Sequence, residues 1–192
     1  MTTVEDKIVS GLCLSGSRIC DVEYIGCTFN GCVFAECRLV DSAFYDCAFV
    51  NCQIISPVFD NSLVNLADFV NARLVGMRWD DACGLGKKSR PIKSLSNCVL
   101  DTCVASGMNF LRLDFSGSAI RNTVFSDCDL SGCSFAGSDL SNTSFTGCSL
   151  KNADFSKSKG FRIDIRSNAL RGARFSMPEA VSLLDGLGVV VV

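Results

Sequence analysis

The chain has 192 residues, of which 48% are hydrophobic and 20% charged, and its net charge is −2. Its longest wholly aliphatic run, Val189 to Val192, is far too short to cross a bilayer. The first ten residues contain Glu5 and Asp6 and no apolar core, so the sequence predicts neither a membrane segment nor a secretion signal, and we expect a cytoplasmic protein.

A five-residue repeat begins near Leu14 and continues to Trp79. A large apolar residue recurs at every fifth position, and a small residue stands two positions before most of them. A period of five fits neither a helix nor a straight strand, so the chain must turn a corner once per repeat. The pattern predicts coils that bury their apolar face by stacking, and residues 1–11, which show no repeat, are expected to cover the first coil.

The segment 82–97 interrupts this array with glycines and the bases Lys87, Lys88, Arg90 and Lys93. Trp79 and Leu100 are 21 residues apart, one more than four repeats. We therefore expect the segment to form a kink or short loop that replaces one coil and bulges by one residue. Pro57 and Met77 occupy positions where the repeat has small residues, which predicts distortion there.

The second array occupies residues 98–175 and is most regular from Cys128 to Phe155. Four repeats per coil would place Phe135 between Phe115 and Phe155. After Phe175 the period changes, and the capping box Ser176 to Glu179 predicts an α-helix from Met177 to Asp185, followed by an apolar strand from Leu187 to Val192.

This tail, residues 176–192, suits a cap over the last coil, a two-fold interface, or both. We favour both functions together, with a cap alone as the alternative. The interface residues would be Met177, Ala180, Val181, Leu183, Leu184, Leu187, Val189, Val190 and Val191.

Ten of the thirteen cysteines occupy the small inward position, and Cys13, Cys20 and Cys83 do not. The C-x4-C spacing is the repeat itself, C-x2-C is absent, and the chain has no histidine. The cysteines are therefore interpreted as core thiols rather than metal ligands or disulfides. The lack of histidine also excludes Ser-His and Cys-His nucleophiles, so we expect neither an enzyme nor a cofactor.

Acidic residues dominate the first half of the chain. Residues 21–69 hold seven acids and one arginine, whereas residues 151–192 have a net charge of +3. The first span covers about 12 Å of stacked coils, over which duplex DNA carries about seven phosphates. A solvated face that keeps the protein soluble would explain the acids equally well. The predicted acidic surface comprises Asp21, Glu23, Glu36, Asp41, Asp46, Asp60, Asp80, Asp81 and Asp101, most of them in one column.

The repeat resembles the pentapeptide-repeat family, whose motif A(D/N)LXX matches Ala153-Asp154-Phe155 almost unaltered. The resemblance implies one all-β domain over residues 1–192, a right-handed β-helix of square section with coils over 12–81 and 98–175. Right-handedness also follows from the general rule for parallel crossovers.

The tail resembles that of one branch of the family, the topoisomerase-protecting proteins that include the Qnr proteins, MfpA, AlbG and McbG. The similar segments are Ile163 to Ile165, Ala173 to Ala180, Leu183-Leu184 and Leu187 to Val190, together with Leu74 to Trp79. This resemblance implies a dimeric DNA mimic that binds DNA gyrase or topoisomerase IV and protects it from poisons. The alternative is a passive scaffold, and direct nucleic-acid binding is not expected of an acidic chain.

Overall fold

A computed structural model describes residues 1–83 and 90–187, and it confirms the predicted all-β solenoid of about eight turns. Successive coils pair as parallel strands twenty residues apart, as in Tyr24 with Phe44. Each coil has four sides. In the second coil they are centred on Tyr24, Phe29, Phe34 and Leu39, and they are called sides 1 to 4 in that order.

Most strands are three residues long, as expected for a chain that turns a corner every five residues. The strands are β1 (Thr2–Glu5), β2 (Ile8–Ser10), β3 (Cys13–Ser15), β4 (Arg18–Cys20), β5 (Val22–Ile25), β6 (Thr28–Asn30), β7 (Val33–Ala35), β8 (Arg38–Val40), β9 (Ala43–Tyr45), β10 (Ala48–Val50), β11 (Gln53–Ile55), β12 (Val58–Asp60), β13 (Leu63–Asn65), β14 (Ala67–Val70), β15 (Arg73–Val75), β16 (Ile92–Ser96), β17 (Val99–Asp101), β18 (Val104–Ser106), β19 (Ala119–Arg121), β20 (Val124–Ser126), β21 (Asp139–Thr146), β22 (Asp154–Phe155), β23 (Lys159–Ile163) and β24 (Arg174–Phe175).

The corners explain the polar residues of the repeat. The corner residue has a left-handed backbone, with φ of +48° at Asp41 and +54° at Asn51. Aspartate, asparagine and glycine tolerate this conformation better than other residues. Corner asparagines also link coils, because Asn71 Nδ2 donates to Asn51 Oδ1 at 3.2 Å.

The core consists of stacked apolar side chains, as predicted. Phe135 is fully buried, and its ring lies 4.9 Å from that of Phe115 and 4.9 Å from that of Phe155. The small inward residue has a second function besides its size. The backbone N–H of Ser42 donates to Ser62 Oγ of the next coil at 2.9 Å, so a serine, threonine or cysteine satisfies an inward N–H that no carbonyl reaches.

The ten inward cysteines are buried, which confirms their interpretation as core thiols, and Cys13 and Cys20 are exposed. Cys83 was expected outside the core, but it is buried, and its thiol donates to the carbonyl of Trp79 at 3.0 Å. The expectation failed because the chain leaves the repeat after Trp79 and turns inward.

Only Cys13 and Cys20 are expected to react with a thiol reagent in the native protein at pH 8. Burial raises the pKa of Cys47, Cys52 and Cys103 to about 11, so these thiols stay protonated as well as covered. Counting modified thiols by intact mass, with the denatured chain as control, should give two and thirteen. Rapid modification of a third thiol would contradict the coil register.

A shared hydrogen bond couples one further pair of thiols. It raises the pKa of Cys128 and lowers the pKa of Cys148. Both side chains are buried, so access rather than ionisation should keep them unmodified.

The first coil begins earlier than expected. β1 pairs with β5 and β2 with β6 in the regular register, so Val4 lies beside Tyr24 and Val9 beside Phe29. Residues 1–11 therefore belong to the first coil and do not form a cap. Their outward residues hide the period, whereas Val4 and Val9 continue it.

The irregular segment also differs from the expectation of a single bulged residue. Leu100 lies beside Leu74, 26 residues earlier, rather than over Trp79. The coil is six residues longer than the regular twenty: five of the additional residues come between Trp79 and Ile92 in the sequence, and the sixth is the bulge in β16. Part of the predicted irregular segment, residues 84–89, lies outside the described residues.

The tail contains a helix, as predicted, but it is a 3₁₀-helix over Glu179–Leu187 rather than an α-helix. It contacts β23, and Leu183 packs against the core of the last coil. The strand predicted after Leu187 falls on residues 188–192, outside the described residues. No helix in the described part of the chain is long and apolar enough to cross a membrane.

Candidate functional site: an acidic face on side 1

Four of the nine predicted acidic residues lie together on side 1 of the N-terminal coils. Glu23 points outward from β5, whereas Asp21, Asp41 and Asp46 occupy the corners that border side 1. Glu5 at the end of β1 and Asp6 at the next corner join them, and both were missed because residues 1–11 were not recognised as a coil. These six residues, Glu5, Asp6, Asp21, Glu23, Asp41 and Asp46, are called the acidic face.

The three chain segments that carry the acidic face contain no basic side chain. Residues 1–6, 21–26 and 41–46 contain no lysine or arginine, and the N-terminal amine is the sole positive group they supply. No ion pair is found for the six acids among the described side chains. Their charges therefore remain directed to solvent.

Three of the other predicted acids lie on side 4 or its corner and are paired with arginines. Asp60 pairs with Arg38, and Arg78 binds Asp80 at 3.5 Å and Asp81 at 2.8 Å. Asp60 lies beside Val40 rather than beside Asp41, so the predicted single column is wrong. The prediction failed because Asp21 and Asp41 are corner residues, whereas Asp60 is the last residue of strand β12.

The last two predicted acids lie elsewhere. Glu36 occupies the corner between sides 3 and 4, and Asp101 lies on side 3, beside Val75 and Arg121. The amide of Asn122 donates to Asp101 at 2.8 Å and lowers the pKa of its carboxyl below the ordinary value. These acids do not extend the acidic face.

A shallow depression lies within the acidic face. Carboxylates of Glu23 and Asp41 line it together with the ring of Tyr45 and the aliphatic side chain of Leu63. Asn61 Nδ2 donates to Asp41 Oδ1 at 2.6 Å and holds that carboxylate at the rim. Two carboxylates beside an aromatic ring can receive a guanidinium or ammonium group of a partner.

The C-terminal end of the rod exposes apolar side chains. Met177 is 74% and Leu184 37% exposed, and Leu187 is also exposed. Ala180, Val181 and Leu183 are half-buried. The other predicted interface residues, Val189, Val190 and Val191, lie outside the described residues.

No cluster of three or more metal-ligating side chains that could hold an ion occurs in the described ranges. No side of a single coil contributes more than one of the repeat's buried cysteines. Their thiols donate to backbone carbonyls, as Cys133 does to Phe110 at 2.9 Å.

Residues 123–159 match the model of the family of pentapeptide repeats, eight copies of which form its unit. The short strands and corners of the five-residue repeat continue on both sides of that span, with twenty residues per coil everywhere except in the long coil. The chain belongs to the pentapeptide-repeat family. None of the curated proteins matches its sequence.

The solved structure of HetL agrees with the fold of this pentapeptide-repeat protein. HetL, a pentapeptide repeat protein involved in heterocyst differentiation regulation from the cyanobacterium Nostoc sp. strain PCC 7120, is 15% identical, with a TM-score of 0.66 over 90% of this chain and 84% of HetL. QnrB1, a plasmid-mediated fluoroquinolone resistance protein, is 19% identical, with a TM-score of 0.39 over 97% of this chain and all of that chain. At this identity HetL shows a common fold and nothing finer.

Proposed function

We propose that this protein is a non-enzymatic DNA mimic that binds DNA gyrase or topoisomerase IV and protects the enzyme from a poison. The acidic face is the observation that carries the proposal. Six carboxylates lie on one side of three coils, a length of about 14 Å, over which duplex DNA presents about eight phosphates. A basic groove that accepts DNA would accept this face by the same attraction.

The paired acids of the second half explain why the mimicry is restricted to one arm. Asp139, Asp154 and Asp164 are paired with Arg121, Arg174 and Arg166, respectively. The type of target enzyme follows from the resemblance of the tail to the topoisomerase-protecting branch. A passive scaffold would not require a face of unpaired acids, since like charges repel one another.

The Glu23→Lys/Asp46→Lys variant tests the acidic face. Neither carboxylate has an ion-pair partner in the described structure, so the fold should be retained while gyrase binding weakens at least about tenfold, most strongly at low salt. The measurement is gyrase supercoiling in the presence of a poison at increasing protein concentration.

The matched control is Glu36→Lys/Asp127→Lys. These two acids occupy exposed left-handed corners, as Asp46 does, and their reversal changes the net charge by the same amount, but they lie off the acidic face. The control should protect gyrase as well as the wild type does. Equal protection by both variants would favour the scaffold, and equal loss would indicate that net charge alone matters.

A further inference from the structure

Sides 2 and 3 run without interruption through the long coil. On side 2, β14 pairs with β10 and, across one bulge, with β16. On side 3, β15 pairs with β11 and with β17. These two neighbouring sides join the N-terminal and C-terminal coils as a continuous pair of sheets.

Side 4 is interrupted at this level, whereas side 1 changes its pairing but stays connected. β12 is the last strand of a three-stranded sheet and pairs with β8 alone among the described strands. The next segment on side 4 pairs forward, through Arg78 and Val104. On side 1, β13 ends its parallel sheet, but Leu63 meets Cys83 in an antiparallel bridge and the N–H of Val64 donates to the carbonyl of Ala82 at 2.8 Å. The gap on side 4 between residues 57–60 and 77–80 is called the seam.

The sequence lacks the usual link across the seam. Elsewhere an inward N–H donates to the small side chain one coil further on, as Ser42 does to Ser62. Pro57 has no N–H, and Met77 replaces the small acceptor. An apolar cavity of about 30 Å³ lies beside them, lined by Leu39 and Phe59 among others.

Among the described residues, no ion pair between side chains joins the two edges of the seam either. Arg38 joins the second coil to the third through Asp60, whereas Arg78 binds Asp80 and Asp81 of its own segment. Asp80 Oδ1 is buried without a hydrogen-bond donor among the described residues. Because an unsatisfied buried oxygen is costly, opening the seam to water would relieve that cost.

We propose that the rod bends at the seam, with the coils before and after it pivoting about sides 2 and 3. The pivot is fixed next to the seam, where Ser56 N–H donates to the carbonyl of Val75 at 2.8 Å and the absence of a side chain at Gly76 lets Ser56 pack closely. Opening is therefore centred on side 4, and the hydrogen bond from Val64 N–H to the carbonyl of Ala82 limits it toward side 1. Hinge motions of this kind use a few residues between rigid bodies. This inference does not depend on the identity of a partner.

Spin labels on two matched columns test the hinge. The side 4 pair is Cys20 with Ser126→Cys in a Cys13→Ser background, and the side 3 pair is Cys13 with Ala119→Cys in a Cys20→Ser background. Both pairs span five coils, about 24 Å. Double electron–electron resonance measures the distance between the two spin labels. The distribution of this distance should be narrow for the side 3 pair. For the side 4 pair it should be broader and extend to distances about 5 Å longer, one coil spacing.

The Pro57→Ser/Met77→Ser variant should close the seam, because the hydroxyl introduced at position 77 can accept the N–H restored at position 57. It should narrow the side 4 distribution to the width found on side 3. Equal widths on the two sides of the otherwise unchanged rod would overturn the hinge, as would a side 4 width unaltered in the folded variant. If that variant does not fold, the comparison of the two columns decides the question alone.

Discussion

Phe135→Asp is expected to unfold the C-terminal coils. The ring is fully buried and stacks between Phe115 and Phe155, and its edge meets Phe145 at 5.7 Å. The substitution removes these contacts and buries a carboxylate without a partner, at a cost of about 5 kcal/mol or more. That cost is comparable to the whole stability of a typical domain.

Thermal unfolding followed by circular dichroism measures this effect. Coils in a solenoid depend mainly on their neighbours, so the loss should begin around the altered coil while part of the N-terminal signal persists. Leu111→Asp is the control, since it adds the same charge to an exposed side chain on the same array, and it should cost less than about 1 kcal/mol. An unchanged melting temperature for Phe135→Asp would refute the stacking.

The core could be predicted from the sequence because the period of five forces both the corners and the stacking. Phe135 was placed correctly by counting four repeats in each direction. The same counting failed across the long coil. The additional residues leave later centres in a new phase, and the 21 residues from Trp79 to Leu100 are closer to the regular twenty than the 26 from Leu74 to Leu100 that give the observed register.

The acidic surface was only partly predictable for a related reason. The coil length predicts which acids stack above one another on successive coils. Ion pairs, however, also form between outward side chains that are not in the same stack. Arg38 and Asp60 are 22 residues apart, so their pairing requires the register and the direction of both side chains. Once the register is known, residues about one coil apart on the same side can be searched for opposite charges. This search identifies Asp60 as the ion-pair partner of Arg38 and finds no such partner for Glu23.

The type of the terminal helix could not be derived from its capping box. Ser176 and Glu179 match the box in sequence, yet the helix begins at Glu179 and is of the 3₁₀ type. Its position is governed by packing, because Leu183 must reach the core of the last coil. Local propensity therefore predicted that a helix exists, and tertiary contact determined its geometry.

Met177→Glu/Leu184→Glu is expected to convert a dimer into a monomer and to abolish protection of gyrase. A single rod of about eight coils is roughly 40 Å long, and joining two rods at their C-terminal ends would double that length. The acidic faces would then lie at the two far ends. The exposed side chains of Met177 and Leu184 would be covered by the partner's copies across a two-fold axis. Leu183 is left unchanged because it packs against the core.

The control is Ile8→Glu/Val124→Glu, which alters two apolar side chains of nearly the same exposure, 77% and 38%, away from this end of the rod. Sedimentation should give a monomer for the Met177/Leu184 variant and a dimer for the control, with the β signal retained in both. Supercoiling in the presence of a poison should then be protected by the control and lost with the monomer, because one arm offers half the contact and half the charge to the enzyme. A wild-type protein that sediments as a monomer and still protects gyrase would limit the tail to capping the last coil.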